Sequence, residues 1–131
     1  MPTALNFLCG KTVADAGWTT TCDRQVPQRL TIYGVAGHMH LRGRDVSIVL
    51  DPGTPKQRTL LHIPAWDFRW QDAYFLQQPV TVGPTDTLRL SCRFDNSVEA
   101  QPPAVPTPRY VLWGEGTTDE MCLGALSVAV G

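Results

Sequence analysis

Thr87-Leu88-Arg89-Leu90-Ser91-Cys92-Arg93-Phe94 alternates polar and apolar side chains without a break, the pattern of a half-buried β-strand. Arg29-Leu30-Thr31-Ile32-Tyr33 and Val46-Ser47-Ile48-Val49-Leu50 are of strand length and rich in β-branched residues, and Arg109-Tyr110-Val111-Leu112-Trp113 and the run 121–130 read the same way. Turn signals separate them: Asp51-Pro52-Gly53, Gly83-Pro84, Asp95-Asn96-Ser97 and Gly114-Glu115-Gly116. With 11 Gly and 11 Pro in 131 residues, long helices have nowhere to form. Short strands at regular intervals, without helical patterns between them, predict an all-β fold. We expect one β-sandwich or jelly-roll domain, residues 1–131, of about eight to nine short antiparallel strands. Residues 101–108, with four prolines, read as a surface loop.

The length suits one domain able to bury roughly two-thirds of its unfolded surface. Eleven Lys and Arg against twelve Asp and Glu give a net charge of -1, and the basic residues are scattered. No nucleic-acid or membrane partner is therefore expected. No apolar run approaches the ~20 residues that span a bilayer. Residues 1–10 lack the basic and apolar regions of a signal peptide, so an exported protein would carry its targeting segment outside this chain. Four cysteines allow three pairings and match no CxxC motif. Disulfides, and with them a secreted or periplasmic setting, are the expectation.

Two of the three histidines form His38-Met39-His40. On a strand, residues i and i+2 share a face, so both imidazoles would project side by side and could serve a first-row transition metal. Taken alone, the pair is weak evidence and reads more readily as ordinary polar residues at a strand end. Thr118-Asp119-Glu120-Met121-Cys122 adds a methionine among acidic residues. Met121 could simply open the last strand and pack inward. Joined to His38 and His40, its thioether would complete a set of two imidazoles and one soft sulfur, which selects copper, Cu(I) above all.

The segments Gly37-His38-Met39-His40-Leu41-Arg42-Gly43, Leu90-Ser91-Cys92-Arg93-Phe94-Asp95-Asn96-Ser97 and Thr118-Asp119-Glu120-Met121-Cys122 occur in this order. From about residue 22 to the C-terminus the chain resembles the C-terminal, catalytic-copper domain of the copper type II, ascorbate-dependent monooxygenases, the family of peptidylglycine α-hydroxylating monooxygenase and dopamine β-monooxygenase. The stretch 61–71, around Trp66-Asp67-Phe68, is similar to bacterial members. The resemblance implies one copper ion, cycling between Cu(I) and Cu(II), held by His38, His40 and Met121, with no further catalytic residue. It also implies dioxygen as oxidant, hydroxylation of a C–H bond in a small organic substrate, and a disulfide between Cys92 and Cys122. Electrons would come from ascorbate or from a separate copper domain.

Three departures qualify that reading. The family's electron-relay domain, with its three-histidine copper, has no counterpart in these 131 residues, so the isolated chain should turn over poorly with ascorbate, and peroxide could stand in. Peptidylglycine enzymes hold their peptide with an Arg two residues before the first ligand and an Asn and a Tyr after the Met; here Ala36, Leu123 and Ala125 occupy those positions. Cys22 sits where the family often has a half-cystine whose partner follows the Met-Cys pair; no cysteine follows Cys122, which leaves Cys9 for Cys22. Two alternatives stand beside the monooxygenase reading: a non-catalytic copper module, and a zinc hydrolase site in which Asp119 or Glu120 joins the two histidines. His62 is a weaker candidate ligand. Trp66, Phe68, Trp70, Tyr74 and Phe75 read as core and loop packing, or as a pocket wall. Arg42 and Arg44 read as solvated strand-end charges.

Overall fold

The computed structural model describes residues 3–8, 17–97, 99–102, 114 and 121–131. Eight strands are present among them: β1 (Thr3–Leu8), β2 (Gly17–Gln25), β3 (Leu30–Met39), β4 (Gly43–Leu50), β5 (Arg58–Ile63), β6 (Ala73–Val82), β7 (Thr87–Asp95) and β8 (Cys122–Val130). They form two four-stranded sheets, β1-β8-β3-β6 and β2-β7-β4-β5, with every pairing antiparallel. This is the expected β-sandwich. The expected strand at 109–113 lies outside the described residues.

The central strands of each sheet supply most of the core. Leu88, Leu90, Cys92 and Phe94 of β7 and Val46, Ile48 and Leu50 of β4 face Ile32, Val35 and Met39 of β3 and Cys122, Leu126 and Val128 of β8. Burying side chains of this size stabilises the fold by roughly 1.5–3 kcal/mol each. Cys92 and Cys122 are bonded across this core, joining one sheet to the other. Cys22 is also disulfide-bonded; the Cys9 half of the expected Cys9–Cys22 bridge lies outside the described residues.

One irregularity decides which way the histidines face. Leu30 and Ile32 point into the core, and strict alternation would carry residues 38 and 40 inward with them. Instead the register of β3 slips between Ile32 and Gly34 against both neighbouring strands. Tyr33 is the extra residue of a β-bulge. Beyond it the inward positions are Val35, Gly37 and Met39. Gly34, Ala36 and His38 are thereby turned to the outer face of the sheet.

The expected turns at 51–53, 83–84 and 95–97 are all present. Asp51 and Gly53 adopt positive φ, 48° and 77°, and Asp86 N donates to Gly83 O. Asp95 Oδ1 accepts from Ser97 N at 2.8 Å, and the Ser97 hydroxyl and amide hold the Asp95 carboxyl below the usual carboxylate range. No helix among the described residues is long and apolar enough to cross a membrane.

Candidate metal centre

Met39 anchors the end of β3. It is fully buried, and a Cβ placed on Gly43 would lie 2.7 Å from Met39 Cβ and 2.8 Å from its sulfur. Only glycine leaves room for that side chain at the start of β4. With Met39 committed to the core, His38 before it and His40 after it fall on the other side. A tight turn follows, closed by Gly43 N donating to His40 O at 3.0 Å. Arg44 braces the turn by donating to the Leu41 and Gly43 carbonyls at 3.0 and 2.8 Å. Gly43→Ala is expected to destabilise the protein by about 1–3 kcal/mol, the usual cost of overpacking. It should also disturb the histidine pair, which hangs on Met39. Urea unfolding checks the first effect and copper titration the second; an unchanged midpoint would contradict the packing argument.

The two imidazoles lie edge to face, ring centroids 4.9 Å apart. His40 is buried, at 3% exposure, and His38 is half-buried. Phe68 packs on both, with centroids at 6.3 Å from His38 and 6.1 Å from His40. It belongs to the 64–72 connection, which is pinned to β4 by Trp66 N donating to Arg44 O at 2.9 Å. Asp67 accepts from Arg69, whose guanidinium and amide hold its carboxyl below the ordinary range. Gln71, from the same connection, meets His38 Nδ1 at 2.5 Å.

Met121 stands one residue before β8. The ladder between β3 and β8 runs His38↔Leu123, Met39↔Cys122. The ladder ends there, with His40 the next residue after β3 and Met121 the residue just before β8. Cys122 is buried inward while Met121 and Leu123 are half-buried. His38 and His40 thus lie together where β3 turns into β4, and Met121 stands at the start of the neighbouring strand β8. Among the described residues no set of three or more His, Cys, Asp or Glu gathers around a common point. Met121 offers a thioether, a donor type that together with two imidazoles suits copper. Asp119 and Glu120, the alternative carboxylate donors, lie outside the described residues.

The other candidates fall elsewhere. His62 is exposed on β5, an edge strand of the opposite sheet, where it pairs with Asp45 Oδ2 at 3.1 Å. Arg42 is not a solvated charge: its exposure is 0%. The turn buries it, and it donates to Gln101 Oε1 at 3.0 Å. Gln101 Nε2 in turn donates to Asn96 and Ser97, and Asp95 N donates to Arg42 O at 2.9 Å. Of the five aromatic residues read as packing, Trp66 is in the core and Phe68 lies against the imidazoles. Trp70 and Phe75 are instead 80% exposed, and Tyr74 is 44% exposed. Tyr74 and Phe75 lie on β6, an edge strand whose outer face is open, and Phe75 rests across Gly34, with 3.4 Å between its ring and the place of the missing Cβ. Gln71 was not identified from the sequence, since a lone glutamine in a connection carries no spacing signal.

The family model for the copper type II ascorbate-dependent monooxygenase C-terminal domain matches residues 10–126. The chain is similar to the human DBH-like monooxygenase protein 1, 26% identical over 105 residues that cover 79% of this chain and 16% of the relative. The chicken protein of that name is 26% identical over 100 residues, covering 76% and 15%. The chain thus spans about a sixth of the length of the curated relatives it matches. With nearly its whole length matched by that model, the chain belongs to the copper type II ascorbate-dependent monooxygenase family, as the C-terminal domain.

Proposed function

We propose that His38, His40 and Met121 hold one copper ion, and that this domain is the oxygen-activating part of a monooxygenase that hydroxylates substrate C–H bonds. The observation that supports the reading is the register of β3 on β8, whose last pair, Met39 with Cys122, is flanked in the chain by His40 on one strand and Met121 on the other. Bound copper would supply one-electron chemistry between Cu(I) and Cu(II) and a coordination position for the oxidant. The protein supplies the geometry. The buried Met39 and the Cys92–Cys122 bridge fix the two strand ends, and Phe68 covers the imidazoles on one side.

The surface beside the histidines favours a small organic substrate. Ala36 pairs with Ala73 on one side and Ala125 on the other, so the row next to His38 is a floor of methyl groups. No charged side chain stands on that row to clamp a peptide carboxylate. The bridge between Cys92 and Cys122 supports an oxidising, secreted or periplasmic setting. The alternative reading is a copper module without turnover, and a comparison of oxidants separates the two.

Oxygen insertion from dioxygen converts C–H, O₂, two electrons and two protons into C–OH and water. One Cu(I) stores one of those electrons. Hydrogen peroxide already carries both, so C–H and H₂O₂ give C–OH and water directly. We expect the 131-residue chain, loaded with copper, to hydroxylate activated C–H bonds with peroxide more efficiently than with ascorbate and oxygen. The comparison uses a panel of small substrates, with His38→Ala controlling for adventitious copper. Efficient coupled turnover with ascorbate alone would overturn the expectation that a separate electron-relay domain is needed. Absence of His38-dependent turnover with either oxidant would favour the copper module.

A further inference from the structure

We propose that Gln71 is a positioning residue that sets the tautomer of His38 and so decides which ring nitrogen faces the metal. The inference rests on the copper reading for its purpose, and on hydrogen-bond chemistry for its content. Gln71 Nε2 donates to the Phe68 carbonyl at 2.8 Å. A carbonyl can only accept, so the amide nitrogen must be the end turned toward it. Gln71 Oε1 is then the end that meets His38 Nδ1. An amide oxygen also only accepts, so Nδ1 must carry the proton. In a neutral imidazole that leaves Nε2 with the free lone pair.

The roles therefore propagate one way, from a backbone carbonyl through an amide to the ring, and each link excludes its opposite. The same segment supplies both restraints, since the Phe68 ring packs on His38 and His40 while the Phe68 carbonyl orients Gln71. The segment is itself held by a turn, with Trp70 N donating to Asp67 O at 2.9 Å. Metal-bound histidines ordinarily have such an outer partner, and its loss costs roughly 10–100-fold in metal affinity. Gln71 is exposed, so replacing it leaves the core untouched.

The test reads the tautomer directly in the metal-free, full 131-residue chain, by long-range proton–nitrogen correlation at about pH 8, where imidazole is neutral. The wild type is expected to show a protonated Nδ1 and a bare Nε2 on His38. Gln71→Met keeps the length of the side chain but has no strong acceptor, and should release His38 to an Nε2-protonated majority. It should also weaken Cu(I) binding by about 10–100-fold. Gln71→Glu restores an acceptor and should bring back the protonated Nδ1 and most of the affinity. A wild-type His38 protonated mainly on Nε2 would overturn the proposal, as would an unchanged tautomer in Gln71→Met. If the tautomers behave as expected while His38→Ala binds copper as well as wild type, Gln71 keeps its positioning role and the copper assignment fails.

Discussion

Copper binding to His38→Ala is expected to fall by well over the roughly 10–100-fold that follows from losing an outer partner of a metal ligand. In the proposed site a directly bound nitrogen would be lost, and three protein donors would become two. His38 is the cleaner position to test, because it is half-buried and its removal leaves the core intact. His40 is 3% exposed, packed against Phe68 and followed at once by the turn to β4. His40→Ala should therefore lose copper and stability together. Isothermal titration with Cu(I) and Cu(II), run beside urea unfolding of the metal-free protein, separates the two. His38→Ala should show a near-native unfolding midpoint with binding largely abolished. Equal affinity for wild type and variant would mean that the metal binds elsewhere.

Removing the bridge between the sheets should produce the largest loss of stability. Cys92 and Cys122 are 30 residues apart in sequence, and closing a loop of that size is worth about 3.6 kcal/mol in the chain-entropy model. Both sulfurs lie in the core, so Cys92→Ala/Cys122→Ala also forfeits packing between β7 and β8. For a domain of this length the melting temperature should drop by roughly 10–15 °C. A local consequence follows as well. Cys122 is the first residue of β8 and Met121 precedes it, so the bridge fixes the end from which the thioether projects. Calorimetry of the metal-free variant measures the first effect. The second appears as a loss of Cu(I) affinity measured well below the new melting temperature. A shift of only a few degrees with unchanged Cu(I) binding would contradict both.

The sandwich was legible in the strands that lie in the middle of each sheet. The runs read at 29–33, 46–50, 87–94 and 121–130 fall, to within one residue, in β3, β4, β7 and β8, which have neighbours on both sides and one face on the core. One-sided burial imposes the alternation that the sequence displays. The four strands that were not legible, β1, β2, β5 and β6, are the four edges. β6 shows the reason: most of it is exposed, Pro79 interrupts it, and its register slips across residues 76–79. Proline is tolerated at such an edge because no central ladder is broken. Where burial does not select side chains, no period is written.

The candidate residues stood out in the sequence; their surroundings did not. His38 and His40 announce themselves by their spacing, but the spacing alone does not say which face they occupy. Leu30 and Ile32 point inward, and only the bulge at Tyr33 reverses the parity before His38. No residue type at position 33 signals a bulge. Arg42 misled for the opposite reason, since a charged residue in a turn is ordinarily solvated, and its burial depends on Gln101, distant in sequence. Gln71 could not be found, because its role exists only through the fold of the 64–72 connection onto β3.

The measurement that bears most directly on the central claim is a pair of titrations, Cu(I) and Cu(II), on wild type and Met121→Ala. The thioether is the one soft donor of the set, so its loss should weaken Cu(I) much more than Cu(II), which the two imidazoles still serve. X-ray absorption of the Cu(I)-loaded protein should show a sulfur neighbour in wild type and none in the variant. Equal losses for both ions, or a copper without sulfur in wild type, would contradict a site made of His38, His40 and Met121.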